Sequence, residues 1–111
     1  MDLQTKIENR AIVVTISGRL DAVTAPEYEK SIRALIDEGN GDFVVDFEQL
    51  DYISSAGLRA LLLMAKLLKE KGGQVCFASV KGNVRSVFDM SGFTGLFRIE
   101  DSVAEALAAL G

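Results

Sequence analysis

Ser54, Ser55, Ala56 and Gly57 stand immediately before an apolar run that opens at Leu58, and this is where the 111-residue chain gathers side chains with chemical potential. The apolar run reads as a helix, so the serines fall at a helix start. Such a start offers unpaired N–H groups and partial positive charge, which suit a hydroxyl cap and a phosphate alike. Ser54 or Ser55 therefore reads either as an N-cap or as a phosphoryl acceptor, with cap frequencies favouring the cap. The first turn after the serines carries no Asp or Glu, unlike the turns after Thr24 and Ser102, and that favours the acceptor. Gly57 is expected to keep side-chain bulk away so that another protein's backbone can approach.

Two further segments hold candidate residues. Gly18-Arg19-Leu20-Asp21-Ala22 follows a strand pattern, and loops at strand ends of α/β folds collect binding groups. Asp21, Asp46 and Asp51 read either as acids ringing the serine loop or as solvated loop residues. Met90 and Phe93, on the Gly-flanked stretch Gly82–Phe97, are candidate surface knobs for a protein partner, with core packing as the alternative for each.

Composition excludes much else. With 12 basic and 16 acidic residues the net charge is −4, which argues against nucleic acid as a partner. The chain has no histidine, so the commonest general base and zinc ligand are absent. A serine nucleophile would lack its base, since Lys66 and Lys69 fall on the polar side of their helix. Cys76 is the single cysteine and sits in a buried strand pattern, where a thiol is packing. Three aspartates could suggest Mg²⁺, but no Gly-rich loop with Lys-Ser/Thr supplies the phosphate that ion favours. No catalytic residue, metal or cofactor is assigned, and a binding module is expected. The longest apolar run, Ala60 to Ala65, is far short of the ~20 residues that cross a bilayer. No export signal is visible at the N-terminus, so the expected setting is cytoplasmic.

The elements that must position these residues follow from periodicity. Ala11 to Ser17 alternates as a strand, preceded by a strand carrying Leu3, Thr5 and Ile7, with Glu8-Asn9-Arg10 as the turn. Thr24-Ala25-Pro26-Glu27 is a capping box for a helix through Tyr28, Ile32, Leu35 and Ile36, stopped at Gly39-Asn40-Gly41. Phe43 to Phe47 and Gln74 to Ser79 are buried strands, Leu58 to Lys71 is a helix between them, and Asn83 to Met90 is another helix. Leu96 to Ile99 is a last strand, and Ser102 caps a final helix. The order β-β-α-β-α-β-α-β-α predicts one α/β domain over residues 1–111. Its expected form is a single mixed, mainly parallel sheet of four to five strands against about four helices.

Three landmarks together resemble the STAS domain (sulfate transporter and anti-sigma factor antagonist) in its small bacterial form. They are Ile16-Ser17-Gly18-Arg19-Leu20-Asp21, then Asp46-Phe47 through Tyr52-Ile53-Ser54-Ser55-Ala56-Gly57-Leu58, then Val84-Arg85-Ser86-Val87-Phe88 with Gly92-Phe93-Thr94-Gly95-Leu96. The resemblance spans about Ile12 to Leu110 and implies the STAS fold and an anti-anti-sigma factor. It implies an anti-sigma factor that is also an ATP-dependent serine kinase as partner, bound when this chain is unphosphorylated. It also implies release after phosphorylation of the serine two residues before the motif glycine, here Ser55, and reversal by a PP2C-type phosphatase. Asp21 maps to the family's loop acid near the acceptor. The implied partner-binding set is Asp21, Ser54, Ser55, Ala56, Gly57, Leu58, Met90 and Phe93. The family's acceptor usually follows an aspartate, whereas here Ser54 precedes Ser55 and competes with it. ATP and Mg²⁺ would belong to the kinase. The alternative is a STAS subunit permanently docked in a lipid-transport or sensory assembly, with Ser55 as a cap.

Overall fold

Asn9 and Arg10 both take positive φ, 50° and 68°, and this two-residue turn folds β1 (Asp2–Glu8) back onto β2 (Ala11–Leu20). The computed structural model describes residues 1–111. From β2 onward the strands pair in parallel: β3 (Asp42–Asp46) on β2, β5 (Gln74–Ala78) on β3, and β6 (Arg98–Glu100) on β5. The sheet order is β1-β2-β3-β5-β6, antiparallel only at β1. A sixth strand, β4 (Leu50–Ile53), pairs in parallel with the last residues of β2.

Helices α1 (Ala25–Asp37), α2 (Ser55–Glu70), α3 (Gly82–Ser91) and the single turn α4 (Phe93–Leu96) lie between the parallel strands in the chain, and α5 (Val103–Leu110) follows β6. The sheet's period of two divides the core. Ile12, Val14, Ile16, Phe43, Val45 and Phe77 face the layer of α1, α2 and α3, where Tyr28, Ile32, Leu61, Met64 and Phe88 meet them. Val13, Val44, Cys76 and Ala78 face the other way and are covered by Ala106 and Leu107 of α5.

The sequence expectation of four to five strands and about four helices is therefore short by β4 and α4. Both are too brief to show a period, and β4 buries only its two ends, Leu50 and Ile53. The Thr24 capping box does not form either. Thr24 occupies the N-cap position of α1 in an αR conformation, and its side chain caps nothing there. Its hydroxyl instead donates to the Arg19 carbonyl (2.9 Å) and accepts the Asp21 N–H (2.9 Å). Asp21 has displaced it: the Asp21 carboxylate accepts the N–H groups of Val23 and Thr24, a side-chain-closed turn that leads the chain into α1. Ser102, in contrast, caps α5 as expected, accepting the Glu105 N–H at 3.1 Å.

Candidate functional site: the β4–α2 serine loop

Parallel pairing brings the Asp21 loop and the serine loop side by side. Leu20 on β2 is in register with Ile53 on β4, so Asp21 and Ser54 are the next residues on two adjacent chains. The Ser54 N–H donates to the Leu20 carbonyl over 3.0 Å and fastens the loops together. From that point the two serines take different roles. Ser54 is extended (φ −100°, ψ 175°), and its hydroxyl accepts the Gly57 N–H at 3.3 Å, so it is the N-cap of α2. Ser55 is the first helical residue and exposed, and its hydroxyl makes no hydrogen bond within the chain. No acid lies in the first turn of α2, so the helix's own sequence supplies no negative charge beside Ser55.

Gly57 is required for a reason other than the expected one. It is buried, not presented to a partner. A Cβ there would stand 2.5 Å from the Leu20 carbonyl oxygen and 2.8 Å from Ile53 Cγ1. Glycine lets α2 press onto the β2 and β4 ends. Ala56 and Leu58 on either side are half-buried, and Leu58 packs on the core.

The acids are only partly gathered. Asp21 is half-buried beside the serine loop. Desolvation pushes its carboxyl up, but the N–H groups of Thr24 and Val23, the Thr24 hydroxyl and Arg19 outweigh that and hold it below the usual carboxylate range. Asp51 lies exposed on β4. Asp46 is not at the loop. It pairs with Thr15, five residues before Leu20, which at ~3.3 Å per residue is roughly 15 Å away. Its carboxylate closes the β3–β4 turn on the Glu48 N–H. No three carboxylate or thiol groups converge closely enough to hold a metal ion.

A pair that sequence reasoning passed over lies next to Asp21. Arg19 and Tyr52 are register partners on β2 and β4, and the Arg19 guanidinium lies 4.1 Å above the Tyr52 ring. Arg19 also meets the Asp21 carboxylate at 3.5 Å. No sequence signal marks this pair, because it exists only through the β2–β4 register. Val23, in the Asp21 turn, is 86% exposed, and Tyr52 and Ser55 on the adjoining segment are exposed as well.

The two candidate knobs differ. Met90 is 83% exposed near the end of α3, whereas Phe93 is 7% exposed and is not a surface knob. Its ring packs edge-on to Phe88 at 5.5 Å and against Phe97 at 5.1 Å, inside an aromatic cluster with Phe77 and Phe47. Cys76 is fully buried, and burial, with Glu100 adding to it, pushes its thiol up to about 11. Lys66 and Lys69 lie on the exposed side of α2, away from the serines. No helix is long and apolar enough to cross a membrane.

Comparison with known proteins decides the family. The sequence profile of the STAS domain matches residues 2–106. The chain belongs to the STAS family. Within it, the chain is 38% identical over 98 residues to "Putative anti-sigma factor antagonist BtrV" of Bordetella bronchiseptica, covering 88% of this chain and 84% of that one. Among solved structures, an anti-sigma factor antagonist from Mycobacterium paratuberculosis superposes with a TM-score of 0.90 at 24% identity, over 98% of this chain and 92% of the other. The Bacillus cell fate determinant SpoIIAA in its phosphorylated form superposes with a TM-score of 0.76 at 20% identity, over 99% and 100%. The STAS fold expected from the three sequence landmarks is thus the fold observed, and the family's named relatives are anti-sigma factor antagonists.

Proposed function

We propose that this STAS domain is an anti-sigma factor antagonist controlled by phosphorylation of Ser55. Unphosphorylated, it docks on an anti-sigma factor through residues around the serine loop, the half-buried Asp21 and the exposed Val23, Tyr52 and Ser55, with Met90 on α3 as a further exposed contact. The partner is itself an ATP-dependent serine kinase, so nucleotide and Mg²⁺ belong to it, and a PP2C-type phosphatase restores the hydroxyl. The setting is the cytoplasm. The observation that carries the reading is the division of labour at the α2 start: Ser54 is held as the cap by the Gly57 N–H, while Ser55 is exposed and unpartnered. Ser55, not Ser54, is therefore the acceptor. The name of the Bordetella relative and the existence of a phosphorylated SpoIIAA support the same role.

The physical case for a switch is electrostatic. A phosphoserine adds about −1.5 to −2 charges, which the α2 N-terminus accommodates within this chain. The same charge, placed beside Asp21 in a protein of net charge −4, opposes docking on a surface matched to a neutral hydroxyl. An unpaired charge in such an interface costs about 2–5 kcal/mol, or roughly 30-fold to several-thousandfold in affinity.

Site-localised mass spectrometry after incubation with host lysate and Mg-ATP tests the assignment. One phosphoryl group on Ser55, retained in Ser54→Ala and absent from Ser55→Ala, is expected. An unmodified Ser55 in a lysate with active kinases returns it to a structural residue and favours a permanently docked subunit.

A further inference from the structure

We propose that a groove between α2, α4 and the start of β5 is a binding site for a medium-chain alkyl carboxylate, and that Lys66 and Lys69 hold the anionic head. This site is independent of the docking face. It lies along the second half of α2, and Lys69 is 14 residues from Ser55, about 21 Å along the helix axis at ~1.5 Å per residue.

The groove exists because β6 is short. Its pairing with β5 begins at Arg98 opposite Cys76, so Gln74 and Val75 have β3 on one side and no strand on the other. Leu62 and Ala65 of α2 form one wall, Val75 lies at the base, and Leu96 with Phe97 forms the opposite wall. The groove is open to solvent on one side and offers about 420 Å³, within the usual range for small-molecule sites of ~300–1,000 Å³. At ~30 Å³ per water-sized group it takes on the order of a dozen heavy atoms. Leu96 is 61% exposed on this wall, so the groove presents apolar surface that the chain itself does not cover.

Charge selects the ligand. The charged residues lining the groove are Lys66 and Lys69, with no carboxylate among them, in a chain where acids outnumber bases 16 to 12. Neither lysine takes part in an ion pair, which is true of seven of the 12 basic residues, but of these it is Lys66 and Lys69 that line the groove. Lys69 has a local explanation in the last turn of α2, where a cation complements the helix dipole. Lys66 stands one turn earlier, exposed on the same helix, with Glu70 four residues on. At i and i+3 the two ammonium groups share one helix face above an apolar trough. A ligand with a hydrocarbon tail and one carboxylate head satisfies both features.

The test is a titration of the full chain with octanoate, followed by backbone amide NMR, with uncharged 1-octanol in parallel. Saturable shifts centred on Leu62, Ala65, Val75 and Phe97 are expected for octanoate, with 1-octanol weaker by about tenfold or more. Reversing both charges, Lys66→Glu with Lys69→Glu, should cut octanoate affinity by about tenfold or more while leaving 1-octanol binding and the thermal transition in place. Equal binding of the two probes, octanoate binding that ignores the charge reversal, shifts centred elsewhere, or no saturable shift at millimolar octanoate would each overturn the proposal.

Discussion

The Leu20 carbonyl oxygen accepts the Ser54 N–H and stands 2.5 Å from the point where a Cβ on Gly57 would be. One backbone oxygen thus constrains both the residue before Ser55 and the second residue after it.

Gly57→Ala should be destabilising even though alanine is the better helix former. Propensity would return about 1 kcal/mol, but the new methyl meets backbone rather than a movable side chain. Overpacking of that kind costs about 1–3 kcal/mol and outweighs the gain if α2 must shift. A net loss of a few degrees in Tm is expected at about 4–8 °C per kcal/mol, and calorimetry measures it. An unchanged or raised Tm would show that α2 moves freely.

Ser54→Ala removes the cap of α2 and leaves the Gly57 N–H without its acceptor. The expected cost is about 1 kcal/mol, seen as a Tm lower by about 4 °C. Ser55→Ala breaks no hydrogen bond and should leave the unfolding free energy within about 0.5 kcal/mol of the parent. Denaturation of the two variants side by side separates the roles.

Asp21 contributes to acid sensitivity. Its folded pKa lies below its unfolded value, so its stabilising contribution is complete above the unfolded value, near ~3.9, and is lost as pH falls through the folded one. Asp21→Asn should be less stable than the parent at neutral pH, and the Tm difference should shrink steadily below about pH 4. A difference that is flat across that range would assign the turn's stability to geometry alone.

Cys76 should resist thiol reagents while the chain is folded. It is buried between β3 and α5, and with its thiol pushed up to about 11, only about one molecule in a thousand carries thiolate at pH 8. Labelling by a disulfide reagent should be slow in buffer and accelerate with urea in step with unfolding. Rapid labelling in buffer would mean that α5 opens locally.

The sequence analysis reaches the elements whose period is long enough to repeat. Val13, Val14, Val44 and Val45 mark β2 and β3, and the apolar run through Leu61, Met64 and Leu68 marks α2. It misses β4 because Asp51 and Tyr52 face solvent, leaving only Leu50 and Ile53 buried. Without β4 there is no register, and the Arg19–Tyr52 stack cannot be foreseen. Thr24 is misread because the capping box is judged on four residues, while the competing carboxylate of Asp21 lies just outside them. Gly57 is misread because what crowds it includes Leu20, far off in sequence, and Phe93 because its ring turns inward onto Phe88 and Phe97, themselves seated on Phe77 of β5. The serine loop itself is legible, because a helix start needs only local residues to declare it.

The anchoring of that loop bears on how an enzyme could read it. Ser55 is wound into the first turn of a 16-residue helix, with its neighbours pinned to β2, and so cannot be drawn out as an extended strand without unseating the end of the sheet. The kinase proposed above would have to recognise a surface assembled from Asp21, Tyr52 and Ser55 together, residues that lie near one another only after folding. A synthetic peptide spanning Leu50 to Leu62 would carry the same letters and none of that shape. For an enzyme of the proposed kind, substrate identity would reside in tertiary structure, and unfolded copies of the chain would not be recognised.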